Sequence, residues 1–135
     1  MTEGYSATPL AKKLGIREGF TISLFNQPEY YFNLFTDFPK EVKIVKNDSK
    51  VNFIHYFAWQ QKELANHMGK LKSAIEQNGM IWISWPKKSS NVATDLSEDV
   101  VRHLALANGL VDIKVCAVDQ TWSGLKLVIP VKNRK

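Results

Sequence analysis

The chain has 135 residues, of which 44% are hydrophobic and 23% are charged, so we predict one folded α/β domain over residues 1–135 and not a disordered protein. We also expect a cytoplasmic location, because no apolar run approaches the ~18 residues of a membrane span, residues 1–6 form no apolar leader, and the single cysteine, Cys116, excludes an internal disulfide. The net charge of +5 comes from dispersed Lys and Arg residues that are not interleaved with aromatic ones, which argues against a nucleic-acid partner.

The first half of the chain alternates helical and extended patterns. Thr8 and Pro9 form a good helix start, and Gly15 is a good helix end. Pro28 is well placed to begin a second helix, and Pro39 to end it. The elements predicted here are a helix at 9–15, a strand at 20–25, a helix at 28–39 with an apolar stripe, and strands at 42–45 and 51–57, the last two joined by the polar turn 46–50.

The second half contains the clearest helical periodicity. Leu64, Met68, Leu71 and Ile75 fall on one side of a helix that we predict over 60–77. The nearly unbroken apolar run that follows is typical of a central strand covered on both faces. The elements predicted here are that helix, a strand at 80–85, a loop at 86–94, a helix capped by Asp95 or Ser97 and ended by Gly109, and strands at 110–118 and 125–131 joined by the turn 119–124.

Alternating strands and helices predict a mostly parallel sheet with helices on both faces, which is a three-layer Rossmann-like fold. The last two strands are joined by a short turn and must therefore be antiparallel to each other. A parallel sheet that ends in an antiparallel hairpin is the arrangement of methyltransferase-like folds. This chain has fewer elements than such a core, so we predict a truncated version.

Ligands of open α/β sheets bind beyond the carboxyl ends of the parallel strands. The loops expected there, at 26–28, 58–60, 85–95 and 119–124, carry three tryptophans and two lysines. Aromatic faces with ammonium groups suit a planar or anionic ligand, although tryptophans that close the core and solvated lysines would give the same pattern. The predicted ligand-binding residues are Trp59, Trp85, Lys87, Lys88, Thr94, Asp95, Asp119, Trp122 and Ser123.

The turn after the first strand is poorly suited to a nucleotide or to S-adenosylmethionine. It reads Phe25-Asn26-Gln27-Pro28-Glu29, with no glycine for a close backbone approach, one N–H donor lost at Pro28 and a negative charge at Glu29. Asp48 could imitate the acidic residue that holds a ribose, but an aspartate in a turn is more commonly a turn former.

We predict no catalytic residue and no bound metal. His55 lies within an apolar strand, as a hydrogen-bonded core histidine does, although a catalytic base remains the alternative. His67 and His103 have no partner at metal-ligand spacing. Cys116 lies in an apolar strand and is expected to be inert. The serines Ser84, Ser89 and Ser90 lack the glycine-flanked turn of an acyl-transfer nucleophile.

Four segments resemble a bacterial family of small Rossmann-like proteins whose domain has no assigned function. They are Gly4-Tyr5-Ser6 with Thr8-Pro9-Leu10, then residues 82–88, 93–96 and 115–127. The resemblance covers nearly the whole chain and implies a small bacterial cytoplasmic protein. A looser resemblance, in Leu71-Lys72, in residues 77–83 and in the terminal hairpin, is to class I methyltransferases. The chain differs from them in its first turn, and it has only residues 46–50 where a further helix and strand would lie.

Two functions follow from these patterns. The first is a non-enzymatic binding or regulatory domain that holds a small anionic ligand or a protein partner at the loops 85–95 and 119–124 and needs no cofactor. The alternative is a reduced methyltransferase-like enzyme that binds S-adenosylmethionine. The patterns leave the oligomeric state open.

Overall fold

The computed structural model describes residues 8–46 and 50–135, so Asp48 and the Gly4-Tyr5-Ser6 motif lie outside the described residues. The strands are β1 (Thr21–Phe25), β2 (Lys43–Ile44), β3 (Val51–Phe57), β4 (Ile75–Pro86), β5 (Val111–Ala117) and β6 (Trp122–Val128). The α-helices are α1 (Leu10–Leu14), α2 (Gln61–Ala74) and α3 (Glu98–Ala107), and short 3₁₀ turns lie at Tyr31–Leu34, Lys88–Ser90 and Val131–Asn133.

The six strands form one sheet in the order β2-β1-β3-β4-β6-β5. The first four strands of this order run parallel, whereas β6 runs antiparallel to both of its neighbours. This confirms the predicted mostly parallel sheet with a terminal antiparallel hairpin. At the β5 edge the register shifts between Asp112, which pairs with Leu127, and Lys114, which pairs with Lys126, so Ile113 is an extra residue.

Two apolar clusters pack on the two faces of the sheet because successive strand residues point to opposite sides. On one face the sheet packs against α2 and α3, through side chains such as Leu64, Met68 and Val101. On the other face it packs against α1 and the aromatic segment after β1, through side chains such as Leu14 and Tyr31. The three-layer arrangement is therefore confirmed.

The helix expected over 28–39 is wrong, because only the single 3₁₀ turn Tyr31–Leu34 forms there. The two carboxylate oxygens of Asp37 accept hydrogen bonds from the backbone N–H groups of Ala11 and Lys12, each at 3.1 Å. The ring of Phe38 meets those of Phe32 and Phe35 edge-on at centroid distances of 5.3 and 5.1 Å. Long-range packing and capping of α1 thus override the helical pattern of this segment.

Two predicted boundaries also differ. α2 ends at Ala74, and β4 begins at Ile75 and not at Met80, because the fully buried Ile75 pairs with Val51 of β3. A Cβ at Gly79 would lie 3.1 Å from the carbonyl oxygens of Asn52 and Glu76, so glycine fits this close approach. The last strand covers 122–128 and not 125–131, and Pro130 precedes a 3₁₀ turn.

Candidate functional site

The loops predicted to form a ligand site lie at one end of the sheet, but their tryptophans divide between its two faces. Trp85 of β4 pairs with Ser123 of β6, and the next pair along is Pro86 with Trp122. Trp85 therefore packs in the cluster beneath α2 and α3, whereas Trp122 packs in the cluster on the other face. The two indoles therefore face opposite sides of the sheet and do not share one pocket, because side chains alternate along a strand.

Trp59 and Trp122 do meet. Their ring centroids are 5.3 Å apart and their planes are almost perpendicular, an edge-to-face arrangement. The indole N–H of Trp122 donates to the hydroxyl oxygen of Tyr30 at 3.2 Å. Trp122 is only 5% exposed, so it closes the core at the end of the sheet and offers little surface to a ligand, whereas Trp59 is half-buried.

The polar residues predicted for the site hold the loops in place. Thr94 Oγ1 donates to the carbonyl oxygen of Trp59 at 2.5 Å. Asp95 Oδ1 accepts the N–H of Gln61 at 2.7 Å, at the first residue of α2. Asp119 Oδ1 accepts the N–H groups of Thr121 and Trp122, both at 2.8 Å, and so shapes the turn between β5 and β6. Thr94, Asp95 and Asp119 therefore have structural roles in these loops.

The remaining predicted residues are Lys87, Lys88 and Ser123. The backbone N–H of Lys87 donates to the carbonyl oxygen of Thr121 at 2.8 Å, which joins the loop to the turn, and Lys88 is exposed. Ser123 is half-buried in β6 between Trp85 and Ala117. Ligand binding by this set stays a prediction.

A groove that the sequence did not predict runs between α2 and the strands β1 and β3, with a volume of about 870 Å³. It begins at the carboxyl ends of these strands, at Phe25, Asn26 and Tyr56, and follows α2 past Glu63, His67 and Lys70. Among the described residues no helix connects β2 to β3, so β1 and β2 carry no crossover helix on this face. Only the order of the strands, which the sequence did not fix, reveals this gap.

Hydrogen bonding and aromatic packing organise the wall of the groove. The hydroxyl of Tyr56 lies 2.6 Å from Nδ1 of His67 on α2. Burial, together with the negative charge of Glu63, raises the pKa of Tyr56 to about 12, so at neutral pH its hydroxyl keeps its proton and is able to donate a hydrogen bond. The ring of Phe25 lies against that of Tyr56 at a centroid distance of 5.6 Å.

The turn after β1 is held by its own side chain. Asn26 has a left-handed backbone with φ of 58°, a conformation that favours glycine and that asparagine tolerates. Its side-chain amide donates to the carbonyl oxygen of Phe57 at 3.0 Å, which joins the carboxyl ends of β1 and β3. Asn26 thus takes a backbone conformation that favours glycine, and its side chain at the same time links the turn to β3.

Both ring nitrogens of His55 have a hydrogen-bond partner inside the fold. Its Nδ1 lies 2.9 Å from the hydroxyl of Tyr31, and its Nε2 lies 2.8 Å from Oγ of Ser84. The ring stacks on Phe57 at 4.3 Å. His55 and Ser84 are fully buried, and this burial lowers the pKa of His55 to about 3. The interpretation of His55 as a hydrogen-bonded core histidine is confirmed.

Two further properties concern the described residues as a whole. Across 8–46 and 50–135, no three His, Cys, Asp or Glu side chains come together as a metal site would require. In the same part of the chain, no helix has the length and apolarity needed to cross a membrane.

No protein-family model and no curated protein matches this sequence, but many solved structures share its fold. An O-methyltransferase family 2 protein from Planctomyces limnophilus superposes with a TM-score of 0.62 at 7% identity, over 90% of this chain and 53% of that one. Magnesium protoporphyrin IX methyltransferase from Synechocystis superposes with a TM-score of 0.58 at 9% identity, over 88% of this chain and 74% of that one. Ribosomal protein L11 methylase from Lactobacillus delbrueckii superposes with a TM-score of 0.58 at 8% identity, over 87% of this chain and 73% of that one. At such identities the likeness shows the fold, which is a truncated Rossmann-like fold of the methyltransferase type.

Proposed function

We propose that this chain is a small-molecule-binding domain whose ligand lies in the groove beside α2. The observation that carries the proposal is the Tyr56–His67 hydrogen bond beside the ring of Phe25, at the carboxyl ends of β1 and β3. Ligands of open α/β sheets bind at this end of the strands. The groove volume of about 870 Å³ lies within the range of small-molecule sites.

The groove favours a small anionic ligand that has a planar part. The half-buried ring of Phe25 offers aromatic surface, and the half-buried ring of His67, which Tyr56 holds by a hydrogen bond, offers a polar atom for orientation. The exposed side chains of Lys50 and Lys70 border the groove and supply positive charge. A concave surface of mixed character suits a small molecule better than it suits a flat protein partner.

S-adenosylmethionine is the second candidate. An O-methyltransferase from neocarzinostatin biosynthesis and the Synechocystis magnesium protoporphyrin IX methyltransferase were solved with this molecule bound, and both share the fold of this chain. The left-handed backbone of Asn26 favours this reading, since the turn takes a conformation that glycine would take. Pro28, with no N–H to donate, and the negatively charged Glu29 oppose it.

Calorimetric titration with a panel of probes tests the proposal. The probes are S-adenosylmethionine, S-adenosylhomocysteine, adenosine monophosphate and 4-hydroxybenzoate. We expect an anionic planar probe to bind and the double variant Tyr56→Phe/Lys70→Ala to weaken it by about tenfold or more, because a charge-assisted contact is lost. Binding of the two S-adenosyl compounds alone would favour the second candidate.

The matched control is Lys87→Ala/Lys88→Ala, which removes two lysines from the loop predicted by the sequence. We expect this variant to bind the probe as the unaltered protein does. The groove proposal fails if the Tyr56 and Lys70 changes leave the dissociation constant unaltered, and loss of binding in the control would place the ligand at the loop 85–95.

A further inference from the structure

Positive side chains converge on the opposite face of the sheet, near its β5 edge. Lys114 of β5 stands directly opposite Lys126 of β6, and like charges in such a cross-strand pair repel each other. The set of Lys13, Arg17, Lys114 and Lys126 is called the basic cluster below. It lies on the face covered by α1, whereas the groove lies on the face covered by α2.

Three members of the basic cluster lie on regular elements, namely Lys13 on α1, Lys114 on β5 and Lys126 on β6. The ammonium group of Lys13 donates to the carbonyl oxygen of Ala117, at the end of β5, at 3.2 Å. Lys126 is the cross-strand neighbour of Trp82 on β4. The indole N–H of Trp82 donates to the carbonyl oxygen of Leu14 at 2.8 Å, which fixes the end of α1 over the sheet. The contact of Lys13 and the strand positions of Lys114 and Lys126 are thus set before any ligand arrives.

The charges of the basic cluster act on one of its members, Lys126, and on a neighbouring residue, Cys116. Partial burial lowers the pKa of Lys126, and the positive charges of Lys114 and Arg17 lower it further. Half-buried Cys116 lies in the same field: burial raises the pKa of its thiol, while Lys13 and Lys114 oppose that increase. An anion bound here would stabilise the positive charge of Lys126 and would lie close to the thiol of Cys116.

The ion pairs of the described chain lie outside the basic cluster. They are the three that Arg102 of α3 makes with Glu98, Asp99 and Asp112. Glu18, next to Arg17 in sequence, accepts the backbone N–H of Glu41 at 3.2 Å. No described ion pair therefore neutralises the basic cluster.

We propose that the basic cluster binds a multiply charged phosphate anion, namely the diphosphate or triphosphate group of a nucleotide or of free polyphosphate. The guanidinium of Arg17 suits two oxygens of one phosphate, and the lysines act as point charges for the others. Four cations exceed what a single carboxylate would neutralise, so a diphosphate or longer anion matches the site best. This proposal is independent of the ligand in the groove.

Calorimetric titration of the full chain with tripolyphosphate at constant ionic strength tests the proposal. We expect Lys114→Gln/Lys126→Gln to weaken binding by about tenfold or more, since two charge-assisted contacts are lost. The variant should fold, because it removes a repulsive pair. The control Lys88→Gln/Lys132→Gln changes two exposed lysines elsewhere and has the same net charge. Equal weakening in both variants, or no saturable binding by the unaltered protein, overturns the proposal.

Cys116 supplies a second readout because it is the one cysteine of the chain. We expect tripolyphosphate to slow the reaction of its thiol with iodoacetamide in the unaltered protein and in the control, and not in Lys114→Gln/Lys126→Gln. An unchanged rate under saturating tripolyphosphate would place the anion elsewhere. A parallel titration with ATP separates the two sources, since equal affinities indicate that the phosphates alone are recognised and tighter ATP binding indicates a nucleotide.

Discussion

His55 sits between two hydroxyl groups in the middle of β3, where its ring has one partner for each nitrogen. A neutral imidazole donates at one nitrogen and accepts at the other, and either hydroxyl can take the complementary role. A second proton would place a charge in the buried layer around Phe57. The neutral ring is thus the form that the native structure selects.

This selection predicts a pH dependence of stability. An unfolded histidine has a pKa of about 6.5, whereas that of His55 is lowered to about 3, so the unfolded state binds the extra proton between these values. The free energy of unfolding should therefore fall as the pH is lowered from about 6.5, with a limiting slope of about 1.4 kcal/mol per pH unit from this group. Urea unfolding at several pH values measures the slope.

The variant His55→Gln is the control for that slope. It should be less stable than the unaltered protein at pH 7.5, because the buried hydrogen bonds change, but its stability should depend less on pH. His67 and His103 are present in both proteins, so the comparison isolates the contribution of His55. Identical slopes would show that another group causes the dependence.

Single residues also show the limits of sequence reasoning. The position of His55 between Ile54 and Tyr56 was enough to predict a core histidine. The roles of Asp95 and Thr94 were not predictable, because their partners Gln61 and Trp59 are more than thirty residues away in sequence. A side-chain oxygen that can bind a ligand can equally bind a distant backbone N–H.

At the scale of elements, α2 begins without a cap of its own. Gln60, the residue before it, makes no capping hydrogen bond with its side chain. Asp95, from the loop before α3, supplies the missing acceptor at the N–H of Gln61. Its negative charge also suits the positive end of the helix dipole. This hydrogen bond therefore links the loop before α3 to the first residue of α2.

Removing this acceptor should destabilise the protein. We expect Asp95→Ala to lower the free energy of unfolding by about 1 kcal/mol, the usual cost of a lost N-cap. Asp95→Asn keeps an oxygen acceptor and should lose less. Denaturant unfolding of the three proteins at pH 7 measures the difference. Equal stability of Asp95→Ala and the unaltered protein would mean that this hydrogen bond contributes nothing.

Elements with a strong pattern were predictable, and elements shaped by distant contacts were not. The spacing of Leu64, Met68 and Leu71 identified α2, and the apolar run around Trp82 identified β4. The helix expected after β1 failed because Asp37 caps α1 and because its aromatic rings pack with one another. The groove could not be predicted at all, since it depends on which strands are neighbours.

At the scale of the whole molecule, the most protected layer should be the middle of the sheet. β3 and β4 have neighbours on both sides, and most of their side chains are buried. β2 is an edge strand of only two residues, both exposed. Backbone groups in such an edge open without disturbing the core.

Hydrogen–deuterium exchange followed by mass spectrometry checks this gradient. We expect peptides from β3 and β4 to exchange slowest and a peptide covering Lys43–Ile44 to exchange fastest among the strands. The reason is that opening β3 or β4 breaks hydrogen bonds on both sides and exposes both apolar clusters. Protection of β2 equal to that of β3 would contradict the prediction.

The extra residue in β5 affects how readily two copies of the chain could pair through their sheet edges. An edge strand with evenly spaced donors and acceptors is a template on which another chain can extend the sheet. The irregular pairing around Ile113 breaks that spacing, although Ile113 and Val115 are both exposed apolar side chains. The β5 edge therefore exposes apolar side chains, but it lacks the evenly spaced backbone hydrogen-bonding groups that another strand would need in order to add to the sheet and start a fibril.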